Sequence, residues 1–193
     1  MTHVFIPLES ERLRLRRFRA EDLETFLAYR ADPQVARYQG WEDYTRADAQ
    51  AFVERQRTVV PGTPGARAQL ALERKDTGAM IGDLYLFTPE DEPPWAQIGF
   101  TLQRASQGRG YATEAVRRLL DHAFGPLARH RVTALADAAN ARSIALLERV
   151  GMRREAHFVE NVRERGAWRD EVAYAILQRE WPTPDAWPRP PPS

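Results

Sequence analysis

A glycine-containing segment between a strand-like and a helix-like stretch carries the clearest chemical signal of the chain. Residues 107–115 read Gln-Gly-Arg-Gly-Tyr-Ala-Thr-Glu-Ala, and an apolar helical pattern follows them. Glycine accepts backbone angles that other residues avoid, and without a Cβ it lets N–H groups approach an anion. The first helical turn adds unpaired N–H groups and the positive end of the helix dipole. The segment is therefore a candidate pyrophosphate site, although an ordinary strand-to-helix turn has the same pattern.

Two other nucleotide-binding motifs do not fit these residues. A dinucleotide fingerprint requires a third glycine where Thr113 stands. No Gly-Lys-Ser/Thr ending follows, which excludes the phosphate loop of nucleoside triphosphatases. A second polar segment, Asn140-Ala141-Arg142-Ser143, opens another predicted helix, with Asn140 as its N-terminal cap.

Hydrophobic spacing divides the chain into short strands and helices. An alternating pattern predicts strands, and a period of 3.6 with capping residues predicts helices. The predicted order is strand, two helices, three strands, helix, strand, helix and two strands, at residues 12–18, about 21–31, from 45, 68–73, 80–87, 97–102, 113–124, 131–136, about 141–150, 152–159 and 171–177. Residues 181–193 are rich in proline and predict a loose tail.

Three segments together resemble the GNAT superfamily of N-acyltransferases. They are Gln-x-x-Gly-x-Ala at 107–112, Asn-x-x-Ser at 140–143 and Trp-Arg-Asp-Glu-Val-Ala-Tyr at 168–174. The last two are similar to the branch of the ribosomal-protein N-terminal (alanine/serine) acetyltransferases. The resemblance implies one domain over residues 1–180 with an α+β, three-layer fold. Its central sheet would be mixed, mostly antiparallel and flanked by helices, with the fourth and fifth strands splayed apart.

The resemblance also implies a reaction. An acetyl group would pass directly from the co-substrate acetyl-CoA to a primary amine, either a protein N-terminus or a small molecule. Unpaired backbone groups between the splayed strands would pair with the pantetheine amides. The residues expected to bind acetyl-CoA are Phe100, Thr101, Leu102, Gln107, Gly108, Arg109, Gly110, Tyr111, Ala112, Thr113, Asn140 and Ser143.

The transfer requires a neutral amine, a stabilised oxyanion and a protonated leaving thiolate. An α-amino group, with a pKa of about 7.7 to 8.0, is already partly neutral near pH 7. By resemblance, Ser143 would protonate the thiolate; Tyr174 is an alternative. Many GNAT enzymes carry a glutamate where this chain has Gln97, which cannot take up a proton at neutral pH. The candidate catalytic residues are Ser143 and Asn140, with Glu160 or Glu155 as a base that acts through water.

The composition argues against several other functions. Basic and acidic residues nearly cancel, 28 against 27, so the charge gives no general case for nucleic-acid or membrane binding. The absence of cysteine removes thiolate metal sites and an acyl-cysteine intermediate. The four histidines lack metal-ligand spacing, and no apolar run approaches the length of a membrane span. We therefore expect a cytoplasmic protein without a metal, and the resemblance suggests a homodimer.

Two other functions stay open. A catalytically idle GNAT-fold module that senses acyl-CoA or binds a partner protein is favoured by Gln97 and disfavoured by the intact Asn140 and Ser143. Nucleic-acid binding through the arginines at 12–17 is the other, although an arginine-rich strand is usually a solvated face. The acceptor amine is not identified by these patterns. Candidates for the wall of its cavity are Trp41, Tyr44, Trp95 and Trp168.

Overall fold

The computed structural model describes residues 5–41, 43–90 and 94–182. The strands are β1 Leu8–Glu9, β2 Leu13–Arg16, β3 Arg67–Arg74, β4 Met80–Phe87, β5 Trp95–Leu102, β6 Arg131–Asp137, β7 Arg153–Glu164 and β8 Ala167–Leu177. The helices are α1 Leu23–Arg30, α2 Pro33–Ala36, α3 Arg46–Thr58, α4 Tyr111–Phe124 and α5 Ala141–Arg149. Within these ranges, no helix combines the length and apolar character needed to cross a lipid bilayer.

The predicted mixed, mostly antiparallel sheet with flanking helices is confirmed. Its eight strands follow the order β1-β2-β3-β4-β5-β6-β8-β7. The two-residue β1 and the single-turn α2 were not predicted, because they are too short to show a hydrophobic period. The final hairpin is longer than predicted, since β7 continues to Glu164, but its tip lies at Arg165-Gly166 as expected. Most of the predicted tail, from residue 183, lies outside the described residues.

β5 and β6 form the one parallel pair of the described sheet, and they separate halfway along. Their pairing runs from Trp95 and Arg131 to Ile98 and Ala134. Beyond that register β5 stays paired with β4, and β6 stays paired with β8, up to the last residue of each strand. The backbone groups that the ends of β5 and β6 direct at each other therefore lack a strand partner, which confirms the predicted splay.

Gly82 on β4 lies opposite the end of β5 that separates from β6. The opening between residues 99–102 and 135–137, which we call the split, forms where Leu102 lies opposite Gly82. A Cβ at residue 82 would lie 2.2 Å from the carbonyl oxygen of Thr101, well inside van der Waals contact. Glycine is thus a steric requirement here, because it lets β5 approach β4 closely.

Two apolar cores lie on the two faces of the sheet. On one face, α4 and α5 bury aliphatic side chains such as Leu119 and Leu147 against the central strands. On the other face, α1 and α3 build a smaller aromatic core over β3 and β4. There Phe26 stacks on Phe52 with 4.8 Å between ring centroids and meets Phe18 edge to face at 5.3 Å. The aromatic core holds α1 next to the split.

A buried ion cluster joins β2, β3 and the turn before α1. Glu73 is 3% exposed and accepts hydrogen bonds from Arg14 at 2.9 Å, from Arg19 at 3.2 Å and from Arg16. Arg16 also donates two hydrogen bonds to Asp22, at 2.7 and 2.8 Å. Burial alone would raise the pKa of Glu73, but the three arginines outweigh burial and lower it. These β2 arginines are thus paired within the protein, which weakens the case for nucleic-acid binding.

Changing Glu73→Gln replaces three charge-assisted hydrogen bonds while Arg16 keeps its pairing with Asp22, and we expect the free energy of unfolding at pH 7 to fall by about 1.5 to 3 kcal/mol. Because folding lowers the pKa of Glu73 below its ordinary value of about 4.3, this stabilisation is present above that pH and is lost as the pH falls. Urea unfolding at several pH values measures the difference between the variant and the wild type.

Glu54→Gln is the matched control, because Glu54 is an exposed partner of Arg57 and its loss should change the free energy of unfolding little. A destabilisation by Glu73→Gln that stays constant from pH 7 down to pH 3 would contradict the role of the Glu73 charge.

Candidate active site

The glycine segment forms a tight loop between β5 and α4. Gly108 and Gly110 have φ angles of 75° and 79°, in the left-handed region that side chains disfavour. α4 begins at Tyr111, two residues earlier than predicted, and no side chain caps its first N–H groups. Apart from Gly108 itself and the two adjacent residues, no described residue has an atom within 4 Å of the position that a Cβ of Gly108 would occupy. The loop therefore presents open backbone donors at the positive end of a 14-residue helix.

Polar contacts hold this loop in shape. Gln107 donates from Nε2 to the carbonyl oxygen of Leu102 at 3.0 Å, which ties the loop to the end of β5. Arg12 is paired with Glu114 in the first turn of α4, with 2.7 Å between Nε and Oε2. Arg12 also donates from Nη1 to the carbonyl oxygen of Arg109 at 3.1 Å. The protein itself thus fixes the conformation that an anion would meet.

Arginines not predicted from the sequence surround the loop. On α5, Arg142 donates to Oε1 of Gln107 at 3.2 Å, and Arg149 donates to Oγ1 of Thr113 at 3.4 Å. Burial lowers the pKa of Arg117 on α4, and the charge of Arg149 lowers it further. A bound anion would stabilise cations placed this close together. The available signal was the seven-residue spacing of Arg142 and Arg149, which puts both on one helix face.

The strand residues predicted to bind the donor lie at the split. Phe100 and Leu102 direct their side chains into the core under α4, whereas Thr101, 7% exposed, lies on the opposite face of the sheet. Those of their backbone groups that are not bonded to β4 face β6 without a strand partner. Contacts to a ligand in the split would therefore come from the main chain.

The first turn of α5 brings Asn140 and Ser143 together. Asn140 accepts a hydrogen bond through Oδ1 from the backbone N–H of Ser143 at 3.2 Å, so it is the N-terminal cap. The Ser143 hydroxyl has no hydrogen-bond partner among the described residues. Tyr174 is 1% exposed and donates to Glu148 at 2.9 Å; burial raises its pKa, and Glu148 raises it further. Ser143 is therefore the better available of these two hydroxyl groups.

The two carboxylates predicted as bases lie at different positions along β7. Glu155 is paired with Arg131 and Arg153, and the hydrogen bond from Arg131 lowers its pKa. Arg131 stands at the paired beginning of β6, so Glu155 lies away from the split. The backbone N–H of Glu160 donates to Asp170 at 2.8 Å, and the carbonyl oxygen of Asp170 accepts from the residue after β6. Glu160 therefore lies toward the end of the sheet where the split opens.

Asp137, the last residue of β6, is a carboxylate at the split that was not predicted to have a role. Its Oδ1 accepts a hydrogen bond from the backbone N–H of Ala139 at 2.7 Å. Its Oδ2 is buried 3.5 Å from Nη1 of Arg169 and has no hydrogen bond to a described residue. Asp137 thus shapes the turn that places Asn140. An aspartate between a strand and a capping asparagine was the only sequence signal for it.

A cavity of about 240 Å³ opens into the split from the sheet face that carries α1 and α3. Arg30 at the end of α1, Trp41 in the following loop, Tyr85 on β4 and Gln97 on β5 form its walls, and Leu135 completes it across the split. In the described part of the chain, no three His, Asp or Glu side chains gather in a way that could hold a metal ion. The cavity is polar and has room for a small group such as an amine and its immediate substituents.

The tip of the β7–β8 hairpin reaches the loop that carries Trp41. Arg165 donates from Nη2 to the carbonyl oxygens of Ala36 at 2.8 Å and Trp41 at 3.3 Å. Of the aromatic residues predicted for the acceptor wall, Trp41 lines the cavity, Trp95 lines a neighbouring apolar groove and Trp168 is 58% exposed on β8. The hairpin therefore helps to fix one wall of the cavity.

Comparisons with known proteins agree with this geometry. A family profile described as "Acetyltransferase (GNAT) domain" matches residues 12–153. The uncharacterized N-acetyltransferase YnaD of Bacillus subtilis is 29% identical over 174 residues, covering 90% of this chain and 98% of YnaD. YdaF of the same organism, provisionally named a ribosomal N-acetyltransferase, is 32% identical over 104 residues, covering 54% and 57%. A GNAT-family acetyltransferase structure from Bacillus anthracis gives a TM-score of 0.82 at 27% identity, covering 91% and 100%.

These similarities span the structural features described above. The matched region begins in the arginine-rich segment before β2 and ends at the start of β7, so it contains the glycine loop, both strands of the split and the first turn of α5. The resemblance predicted from the sequence is thereby confirmed. This chain belongs to the GNAT family of acetyltransferases and is an N-acetyltransferase.

Proposed function

We propose that the protein transfers an acetyl group directly from acetyl-CoA to a primary amine while both substrates are bound. The supporting observation is the split, which connects two spaces on opposite faces of the sheet. The glycine loop and its arginines lie on the side of α4 and α5, and the polar cavity lies on the other side. A thioester between β5 and β6 would meet an amine from the cavity, and the chain has no cysteine that could carry the acetyl group between the two.

Acetyl-CoA would bind largely through the main chain. Residues 107–113 would hold the pyrophosphate, and Arg142 and Arg149 would add the positive charge that the backbone supplies only in part. The unpaired groups of residues 99–102 would pair with the pantetheine amides. Asn140 and Ser143 would lie beside the thioester, since they follow directly on β6.

Deprotonation of the acceptor needs only modest help if the acceptor is an α-amine, because its pKa lies near physiological pH. Of the two expected bases, Glu160 is better placed, since it lies toward the open end of the split and its carboxylate makes no ion pair with a described residue. Glu155 is the weaker base, because its ion pairs lower its pKa. A water molecule would connect Glu160 to the amine, and backbone N–H groups at the split would stabilise the oxyanion.

Ser143→Ala should lower kcat by about tenfold to a hundredfold, because the departing thiolate, with a pKa of about 8.5, benefits only moderately from a proton donor. The dissociation constant for acetyl-CoA should stay nearly unchanged. Steady-state kinetics and calorimetry measure the two quantities, and Ser143→Thr, which keeps a hydroxyl group, is the control. An unchanged kcat in the alanine variant would assign the proton transfer to another group.

Gly108→Val should raise the dissociation constant for acetyl-CoA at least about tenfold, because the new side chain would occupy the open space in front of the loop and strain a φ of 75°. Gly78→Val is the matched control. Gly78 also has a positive φ and open surroundings, but it lies in the β3–β4 turn. Calorimetric titration of both folded variants decides the point: equal affinities would show that the loop does not hold the diphosphate.

The competing hypothesis is an idle acyl-CoA sensor or partner-binding module, and Gln97 in place of a carboxylate favours it. Release of CoA thiol distinguishes the two. We expect acetyl-CoA to yield CoA in the presence of at least one member of a panel of N-terminal peptides, amino acids, aminoglycosides and polyamines. Tight acetyl-CoA binding without thiol release on any of them would support the sensor instead.

A homodimer in the cytoplasm is the remaining part of the proposal. Exposed apolar side chains on neighbouring strands support the dimer, because such residues often mark an association surface. They are Phe158, Val159 and Trp168. Sedimentation equilibrium of the full chain measures the oligomeric state.

A further inference from the structure

One arginine in the acceptor cavity is held in a single orientation. Arg30 is 5% exposed, and its guanidinium carbon lies 3.7 Å from the ring centroid of Trp41 and 4.8 Å from that of Phe26. Trp41 also donates from Nε1 to the carbonyl oxygen of Arg30 at 3.0 Å. A guanidinium packed against two aromatic rings is held in one orientation. Its N–H donors that are not yet bonded then point outward in the plane of the group.

The carboxylate that compensates the charge of Arg30 is already saturated with donors. Asp83 is fully buried on β4, with 3.2 Å between its Oδ2 and Nη2 of Arg30. It also accepts hydrogen bonds from the Tyr29 hydroxyl and from Nε2 of Gln69, the latter at 2.8 Å. Burial raises the pKa of Tyr29, and the charge of Asp83 raises it further, so the phenol stays a donor. Asp83 is not among the residues that line the cavity.

Arg30 retains hydrogen-bonding capacity after these contacts. Its Nε is buried without a partner, and its Nη1 makes no hydrogen bond with a described residue. A guanidinium has five N–H donors and pairs best with the oxygens of carbonyl and carboxylate groups. Because Arg30 lines the cavity, an oxygen of the acceptor would meet its guanidinium group, and the uncommitted Nη1 is the donor it could use, since Nε has no exposed surface.

The other polar groups of the cavity add no negative charge. They are the amides of Gln39, Gln69 and Gln97 and the hydroxyls of Tyr85 and Thr101, and none of the described lining residues has a carboxylate. Arg67 donates to the Tyr85 hydroxyl at 2.7 Å, which places a second cation beside the wall. Amides can hydrogen-bond an ammonium group, but they do not compensate its charge, and burying an uncompensated charge is costly.

We infer that Arg30 is a specificity-determining residue that selects acceptors with a carbonyl or carboxylate oxygen next to the amine, and that polycationic amines are disfavoured. This inference rests on the proposed transfer to an amine in the cavity. The α-amino carbonyl unit of an amino acid or of a peptide N-terminus carries the required oxygen. It also carries an amine whose pKa is low enough to be partly neutral.

Acceptor kinetics with the full-length wild type test the inference. Alaninamide and isopropylamine share a carbon skeleton and differ in the amide group, so rates calculated per neutral amine isolate the effect of the carbonyl. We expect kcat/KM to be at least about tenfold higher for alaninamide than for isopropylamine, with spermidine below both. Alanine and a tripeptide that begins with alanine distinguish a free carboxylate from a peptide carbonyl, and a preference for either supports the inference.

Arg30→Lys keeps a positive charge opposite Asp83, so the variant avoids leaving a buried carboxylate unpaired. We expect it to raise KM for alaninamide at least about tenfold and to bring kcat/KM for alaninamide close to that for isopropylamine. Arg55→Lys is the control, because Arg55 stacks on Phe52 with 5.2 Å to the ring centroid and is not among the residues lining the cavity. Thermal melting verifies that both variants fold.

The outcomes separate the two levels of the proposal. Turnover of isopropylamine or spermidine at rates equal to or above that of alaninamide would overturn the role of Arg30 and leave the transferase function standing. Loss of selectivity in Arg30→Lys but not in Arg55→Lys would support the role of Arg30. Acetyl-CoA binding without turnover of any of these amines, peptides included, would overturn the transferase function and the inference with it.

Discussion

The incomplete hydrogen-bond ladder between β5 and β6 is the constraint on which the candidate site depends. Buried backbone groups normally require partners, and a sheet supplies them strand by strand. Here the ladder stops at Ile98 and Ala134, while each strand keeps its outer neighbour. The sheet therefore stays intact on both sides of a local opening, which the proposed function assigns to the meeting of the two substrates.

The two faces of the sheet would bind different ligands, and they offer different chemical groups for this. On the α4 side, the diphosphate of the donor would meet main-chain N–H groups first and arginines such as Arg142 second. This arrangement suits a ligand that is the same in every turnover. On the α1 side, the cavity is shaped by side chains such as Arg30 and Trp41, which can differ between relatives without a change in the fold. In the proposed function, the glycine loop and the split hold the donor, and the side chains of the cavity wall select the acceptor.

Much of this organisation could be predicted from the sequence, and the exceptions have physical causes. The glycine loop and the Asn140 cap are local patterns, so adjacent residues reveal them. The splay of β5 and β6 was predicted only from the resemblance to the GNAT superfamily, because no pattern of adjacent residues shows which two strands of a sheet separate. Arg30 and Asp83 were missed as a pair because they are 53 residues apart and meet only after α1 packs on the sheet. Glu155 was predicted as a base from its position on a strand. Its ion pair with Arg131 could not be predicted, because Arg131 lies on another strand, β6, and the two meet only in the folded sheet.

Gly82 carries a consequence for the energetics of binding. Its missing side chain allows β5 to lie against β4, so folding rather than ligand binding sets the shape of the opening. The conformational entropy of holding the two strands apart is then lost when the chain folds. It does not reduce the free energy of binding acetyl-CoA. Acetyl-CoA bound in the proposed way would then fill an opening that the folded sheet already contains, without a rearrangement of its strands.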